Sequence, residues 1–103
     1  MKELKSSQEY VECSKKEKAV IEIYAPGCGP CQMLKEKVLS KIETDISVYV
    51  IDGTAYYEIL DIIKNESGSP VSGVPVLMLY QNGKYLKRLN GYVEKNKILS
   101  FFD

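Results

Sequence analysis

Residues 24–31 of the chain read YAPGCGPC, so that Cys28 and Cys31 stand with two residues between them. The run AVIEIY at residues 19–24 is aliphatic and uninterrupted by Gly or Pro, which predicts a buried β-strand. Residues 32–42 carry apolar side chains at helical spacing, with Lys and Glu between them, which predicts an α-helix. The segment therefore predicts a strand-to-helix junction with Cys28 at the helix N-terminus and Cys31 one turn inside.

This predicted position favours the thiolate form of Cys28. Free backbone N–H groups and the helix dipole stabilise negative charge at an N-terminus, lower the pKa of the thiol and make Cys28 the predicted nucleophile. Gly29 permits a tight turn, Pro30 suits a first helical turn, and together with Gly27 they form the predicted active-site loop. Cys31 lies close enough to form a small disulfide ring with Cys28. The pair can then cycle between dithiol and disulfide through a mixed disulfide with a substrate.

Residues 28–31, between a strand and a helix, closely resemble the active site of the thioredoxin family. The resemblance extends to SGVPVLMLY at residues 72–80, to a hairpin turn at Asn82-Gly83 and to Gly91 before the last helix. Order and spacing match over nearly the whole chain. The resemblance implies a thioredoxin fold over residues 1–103 as a single domain. This is an α/β fold, a three-layer α/β/α arrangement with a central mixed sheet of four to five strands and about four helices.

The hydrophobic pattern predicts where the other elements lie. Alternating strands and helices in the first half predict parallel pairing, and the second half supplies a hairpin. The predicted elements are an edge strand at 2–4, a helix from a Ser6–Glu9 capping box to about residue 15, a strand at 46–51, a helix from residue 53 or 54, a strand that ends at residue 80 after the loop at 67–73, a paired strand at 85–89 and a last helix at 93–102.

Glu22 is the one charged residue in the apolar run before the cysteines. It is either a strand-end acid that faces solvent or a buried acid, because a central parallel strand is covered on both faces. A buried carboxyl has a raised pKa and is suited to take the proton of Cys31 when that thiol attacks the mixed disulfide. Thioredoxins carry an Asp six residues before the first active-site cysteine. Glu22 has that spacing before Cys28, with a longer side chain.

Pro75 is the second residue to which the resemblance gives a role. Taken alone, it suits the start of a strand, where its missing N–H is not needed. In the thioredoxin family the matching proline is cis and lies against the active-site cysteines, and the residue before it pairs by its backbone with an extended substrate segment. The resemblance implies that Gly73, Val74, Gly91 and Tyr92 line the rim of the substrate groove.

The chain departs from the family pattern at three places. Thioredoxins have Trp directly before the first cysteine, whereas this chain has Gly27 there and no Trp anywhere. This predicts a more open loop, a more exposed Cys28 and less apolar surface for a partner. A lysine that commonly lies near the buried acid is not evident, since the matching strand reads VYV at residues 48–50. The segment at residues 52–73 is several residues longer than usual.

Composition and charge argue against several classes of function. The chain has 103 residues, enough for one domain with a core. Its 45% hydrophobic and 27% charged residues are ordinary for a soluble protein, and its net charge of zero argues against nucleic-acid binding. No apolar run approaches the roughly 18 residues of a membrane span, and the N-terminus lacks the apolar core of a signal peptide. We therefore expect a cytoplasmic protein with no membrane partner.

The residue inventory predicts neither a cofactor nor a metal. Three cysteines and no histidine exclude Cys–His catalysis and leave no zinc site of a Cys/His or single-chain four-cysteine type. In a reducing compartment a C-x-x-C pair is catalytic or metal-binding rather than a permanent structural disulfide. The third cysteine, Cys13, falls in the first predicted helix, where it is either an inert thiol or a partner in a regulatory disulfide.

The sequence predicts a thioredoxin-like thiol–disulfide oxidoreductase that reduces protein disulfides through a reversible Cys28–Cys31 disulfide, with roles in electron transport and cell redox homeostasis. The resemblance implies disulfide-containing protein substrates and a separate reductase, an NADPH-dependent flavoprotein. We expect a monomer. The first alternative is a disulfide oxidant, an isomerase or the dedicated redox partner of one enzyme. The others are a thioredoxin-fold binding module whose cysteines are incidental, and a dimer that shares a metal or iron–sulfur centre.

Overall fold

The computed structural model describes residues 1–103, and strands and helices alternate along most of the chain. We number strands and helices separately in chain order. Their bounds are β1 Lys2–Leu4, α1 Ser7–Ser14, β2 Lys18–Tyr24, α2 Gly29–Lys37, a 3₁₀ turn at Leu39–Lys41, β3 Ser47–Asp52, α3 Glu58–Ser67, β4 Val76–Gln81, β5 Lys84–Asn90 and α4 Lys95–Leu99. None of the helices combines the length and apolar character needed to cross a membrane.

All five strands form one mixed sheet in the order β1-β3-β2-β4-β5. Strands β1, β2 and β3 run parallel, because a helical crossover returns the chain in the same direction. Strand β4 is antiparallel to β2 and forms a hairpin with β5. Asn82 and Gly83 connect the hairpin with φ values of 53° and 80°, as a type I′ turn requires. Since β2 is the middle strand, the cysteine segment leaves the sheet at its centre.

Helices cover both faces of this sheet, which confirms the predicted three-layer arrangement. Side chains alternate between the two faces along each strand, so each face collects its own apolar cluster. Helices α1 and α3 cover one face, where the largest fully buried residues are Leu4, Tyr10, Ile21, Ile23, Ile51, Ile59, Ile63, Met78 and Tyr80. Helix α2 and the C-terminal segment with α4 cover the other, with Val20, Leu34, Leu39, Val50, Leu77, Leu79, Ile98 and Phe102 in its core.

The helix after the cysteines is shorter than the sequence predicted. A single helix at 32–42 was expected, but α2 ends at Lys37 and a separate 3₁₀ turn follows. The hydroxyl of Ser40 donates to the carbonyl oxygen of Glu36 at 2.6 Å, and such side-chain bonds compete with the helical backbone pattern. The last helix is also shorter than predicted, at Lys95–Leu99.

Helix α3 begins later than predicted. The carboxylate of Asp52 accepts hydrogen bonds from the backbone N–H of Thr54 at 2.8 Å and of Ala55 at 3.3 Å. These bonds close a turn directly after β3, because an Asp side chain satisfies backbone donors that a helix would otherwise use. The helix therefore starts at Glu58 instead of residue 53 or 54.

Candidate active site

The two cysteines form a disulfide at the N-terminus of α2. Cys28 is the N-cap of the helix, with extended backbone dihedrals of −84° and 105°, and its Sγ accepts the N–H of Cys31 at 3.2 Å. The Cα atoms of the two residues are 5.3 Å apart. Pro30 lies in the first helical turn, where its missing N–H leaves no donor unpaired. Cys28 is half-buried and Cys31 only 3% exposed, so the first sulfur faces the surface and the second the interior.

The turn after β3 supports the end of β2 from which the cysteine loop departs. The N–H of Gly53 donates to the carbonyl oxygen of Tyr24 at 2.9 Å. A Cβ atom added at Gly53 would lie 2.7 Å from Cγ2 of Ile23, so only glycine permits this close approach. The loop itself turns at Gly27, whose φ of 80° is left-handed. A tryptophan at this position, as in typical thioredoxins, would have to adopt a strained backbone.

Glu22 is buried in the middle of the sheet. It pairs with Val50 on β3 and Leu77 on β4, its side chain is turned towards α2, and it is 1% exposed. Neither carboxyl oxygen has a hydrogen-bond partner. Burial without such partners raises the pKa of Glu22 to about 8, and the positive charge of Lys35 opposes this effect in part. Of the two interpretations of Glu22, the structure therefore supports the buried acid. With this pKa, the carboxyl group is protonated in most molecules at neutral pH.

One cavity of about 380 Å³ joins Glu22 to the disulfide. Lys35 supplies its only basic side chain, from the turn of α2 that follows Cys31. The lining residues are Glu22, Tyr24, Ala25, Pro26, Gly27, Cys28, Gly29, Cys31, Gln32 and Lys35. The strand at residues 48–50 carries no lysine, as the sequence indicated, and the positive charge beside Glu22 comes instead from Lys35 on α2. The sequence could have revealed Lys35, because it follows Cys31 by four residues and residues four apart on a helix share a face.

Four of the five residues predicted to bind substrate lie around one cavity. The Val74–Pro75 peptide bond is cis, as the resemblance implied, and the N–H of Gly91 donates to the carbonyl oxygen of Pro75 at 2.8 Å. Gly73, Val74, Pro75 and Gly91 line a second, smaller cavity of about 170 Å³, together with Ser72 and Asn90. Tyr92 follows Gly91 directly and is 40% exposed, but it does not line this cavity. Val74 is exposed to the same extent.

The remaining candidate residues are distant from this chemistry. Cys13 is a free, buried cysteine in α1 and is 8% exposed. It packs in the apolar cluster under α1 and α3, on the opposite face of the sheet from Glu22. No group of three or more His, Cys, Asp or Glu side chains is arranged to hold a metal ion.

Comparisons with known proteins agree with the geometry. The thioredoxin family model matches residues 2–103. A thioredoxin of Chlamydia caviae is 31% identical over 80 residues, which are 78% of this chain and 74% of that protein. Thioredoxin-2 of Saccharomyces cerevisiae is 30% identical over 93 residues, 86% of this chain and 84% of its own. The solved structure of a mutant thioredoxin from Halobacterium salinarum has a TM-score of 0.81 at 24% identity, covering 96% of this chain and 84% of that one.

A mixed five-stranded sheet, helices on both faces and a cysteine pair at the N-terminus of α2 define the thioredoxin fold. The chain belongs to the thioredoxin family. It is a dithiol–disulfide oxidoreductase, with the Cys28–Cys31 pair as its redox centre. Family membership also suggests disulfide-containing protein substrates and a reductase partner.

Proposed function

We propose that this protein reduces protein disulfides, with Cys28 as the attacking thiolate and Cys31 as the resolving thiol. The observation that carries this assignment is the arrangement along one cavity. A half-buried sulfur lies at a helix N-terminus, a buried sulfur lies behind it, and an unpaired carboxyl group lies behind both. The helix N-terminus favours negative charge on the sulfur of Cys28, which is also the more accessible of the two.

The proposed reaction has two exchange steps. In the reduced protein, the thiolate of Cys28 attacks one substrate sulfur, forms a mixed disulfide and releases the first substrate thiolate. Cys31 then gives its proton to Glu22 in the minor fraction of molecules whose Glu22 is ionised, and its thiolate attacks the sulfur of Cys28. The second substrate thiolate leaves as the Cys28–Cys31 disulfide forms. The substrate disulfide gains two electrons and, from Glu22 and solvent, two protons, and the protein dithiol is oxidised.

The cis Val74–Pro75 loop is proposed to hold the substrate. Val74 is exposed beside the smaller cavity, and its backbone lies outside every strand of the sheet. An extended substrate segment paired with this backbone is bound with little dependence on its side chains. Gly73, Gly91 and Tyr92 are proposed to contact the same segment.

A separate reductase is proposed to restore the dithiol, an NADPH-dependent flavoprotein as the family resemblance implies. The protein is proposed to act as a monomer in the cytoplasm, without a membrane partner, because cytoplasmic thiols are kept reduced and a dithiol can cycle there. NADPH oxidation by a flavoprotein reductase with this protein as substrate, size-exclusion chromatography and cell fractionation test these three statements.

Trapping experiments test the cysteine roles. With insulin as the disulfide substrate and dithiothreitol as the reductant, the wild-type protein is expected to accelerate reduction, and Cys28→Ser is expected to fall to the background rate. Cys31→Ser is expected to accumulate mixed disulfides with substrate, which Cys28→Ser does not form. Cys13→Ser is the matched control and should behave as wild type. Equal trapping by both active-site variants would contradict the assignment.

The reduction potential of the Cys28–Cys31 couple decides the direction of the reaction. A value near the roughly −270 mV of thioredoxin supports a general reductant. A value above about −200 mV favours an oxidant or isomerase. Equilibration against glutathione or dithiothreitol, read by mass spectrometry, measures it.

A further inference from the structure

Residues 69–74 connect α3 to the cis Val74–Pro75 bond, and little in the backbone holds them. They belong to no helix or strand, and none of them makes a backbone–backbone hydrogen bond. Ser69 and Pro70 are exposed, and only Val71 packs against the apolar core. A loop of this kind is ordinarily mobile, because its backbone groups are bonded to water instead of the protein.

Two side chains supply the bonds that the backbone lacks. The hydroxyl group of Ser67 accepts the N–H of Ser69 at 3.2 Å and donates to its carbonyl oxygen at 3.1 Å, and Arg88 on β5 holds the loop from the sheet. Its Nη1 donates to the carbonyl oxygen of Pro70 at 2.8 Å, and its Nη2 donates to that of Ser69 at 2.8 Å and to Oγ of Ser67 at 2.6 Å. The guanidinium group thus reaches both the end of α3 and the loop that follows. Its planar fork of donors makes these bonds in one fixed orientation, which a lysine ammonium group cannot reproduce.

A chain of contacts through three tyrosines of the sheet and of α1 holds the guanidinium group itself in place. Its Nε donates to the hydroxyl oxygen of Tyr85 at 3.1 Å. The ring of Tyr85 packs edge-on against that of Tyr80 with centroids 6.0 Å apart, and the hydroxyl of Tyr80 lies 2.7 Å from that of Tyr10. Tyr10 and Tyr80 are fully buried. The loop is therefore connected through Arg88 to the rigid part of the core.

Arg88 is close in sequence to one of the two chain segments that line the smaller cavity. Asn90 and Gly91 line the cavity two and three residues after Arg88, and the loop supplies Gly73 and Val74. Arg88 thus joins one lining segment to the loop that leads into the other.

We propose that Arg88 is a positioning residue for substrate binding. It holds the carbonyl groups of Ser69 and Pro70 and so orders the backbone of Gly73 and Val74, which sets the affinity for extended protein substrates. This inference rests on the proposed function, because it assumes that substrate binds at Val74. Arg88 takes no part in the exchange chemistry at Cys28 and Cys31, so the redox properties of the pair do not depend on it.

Three variants test the proposal. Arg88→Gln removes the fork, Arg88→Lys keeps the charge but loses the fork, and Lys87→Gln removes the neighbouring charge. Lys87 is the matched control because it lies over the ring of Phe101, in the other layer of the molecule, at 4.4 Å. The measurements are KM and kcat for insulin reduction, the rate with the small substrate hydroxyethyl disulfide, the Cys28–Cys31 potential, and amide hydrogen exchange.

We expect KM for insulin to rise about tenfold in Arg88→Gln and in Arg88→Lys, as the loss of charged hydrogen bonds implies. The potential, kcat and the hydroxyethyl disulfide rate should stay at the wild-type values, and amide exchange should accelerate at residues 69–74. Lys87→Gln should match wild type throughout. Should Arg88→Gln fail to fold, Tyr85→Phe keeps the ring and removes only the hydroxyl oxygen that accepts from Nε of Arg88, and we expect it to raise KM about threefold.

The failures can be told apart. An unchanged KM in the Arg88 variants, with active wild-type protein, overturns this inference and leaves the proposed function intact. A wild-type KM in Arg88→Lys alone overturns the role of the fork. A parallel loss of kcat, potential and small-substrate rate would show a general structural effect, which also overturns the inference. Wild-type protein that does not reduce insulin overturns the proposed function, and the inference with it.

Discussion

Glu22 and Lys35 line the same cavity behind the disulfide, yet they do not form a salt bridge with each other. The carboxyl group is fixed on the central strand, whereas the amino group belongs to Lys35, a half-buried residue of α2. Because the two groups are not paired, Glu22 stays mostly protonated, while the positive charge of Lys35 still lowers its pKa in part. A direct ion pair would instead keep the carboxyl ionised. This relationship tunes the proton affinity of the acid beside Cys31.

The Lys35→Met variant should raise the pKa of Glu22 above its value of about 8. The positive charge of Lys35 favours the ionised carboxyl, so its removal leaves the effect of burial unopposed. An NMR titration of the Glu22 side-chain carbon in the oxidised protein measures this shift. Lys37→Met is the control, because Lys37 lies in the last turn of the same helix and outside the cavity. An equal shift in both variants, or none in Lys35→Met, would contradict the assignment.

Burial of Glu22 should make the oxidised protein less stable as pH rises from about 4.5 to about 8. Between these values the unfolded chain has released the proton of Glu22 while the folded protein still holds it. The free energy of unfolding therefore falls, at up to about 1.4 kcal/mol per pH unit, and levels off above the folded pKa.

Glu22→Gln should remove this slope and be more stable than wild type at pH 8, since the amide carries no charge to bury. Urea unfolding at several pH values measures the effect. Glu43→Gln changes an exposed carboxylate and is expected to keep the wild-type slope. Parallel curves for Glu22→Gln and wild type would show that Glu22 is not the group responsible.

Gly27→Trp, which restores the residue of typical thioredoxins, should destabilise this chain. The φ of 80° at Gly27 is left-handed, and a side chain there costs about 1–2 kcal/mol. Gly29→Ala is the matched control, because Gly29 has no positive φ and nothing lies within 4 Å of an added Cβ. Urea midpoints of the oxidised proteins provide the comparison. A Gly27→Trp protein as stable as Gly29→Ala would show that the loop changes shape without cost.

Gly53→Ala should destabilise the protein by about 1–3 kcal/mol, as overpacking of a close contact does. The added Cβ would lie 2.7 Å from Cγ2 of Ile23, at the end of β2 that carries the cysteine loop. Gly73→Ala is the control, since nothing lies within 4 Å of a Cβ at that position. Thermal unfolding of both variants measures the difference, and equal melting temperatures would contradict the prediction.

Local patterns predicted the parts of the site that neighbouring residues determine. The apolar run before Cys28 defined β2, and the cysteine spacing and Pro30 defined the start of α2, because these features depend on residues a few positions apart. The cis bond at Pro75 came from the resemblance alone, since most X–Pro bonds are trans.

Interactions between side chains and a distant backbone were not predictable in this way. The later start of α3 follows from where the carboxylate of Asp52 points, which composition does not reveal. Arg88 was missed because its acceptors are backbone carbonyl groups nearly twenty residues earlier, and a backbone acceptor has no sequence signature. Lys35 was not predicted because the family resemblance places the lysine on the strand at residues 48–50, whereas this chain carries it on α2.

The two outer strands of the sheet bear on self-association. β1 is only three residues long, and β5 carries Lys84, Lys87 and Arg88. A β-bulge also interrupts the ladder between β4 and β5, where the register shifts beside Leu79 and Tyr80. Short, charged and irregular edges resist the addition of further strands from other chains. Aggregation through the margins of the sheet is thus disfavoured.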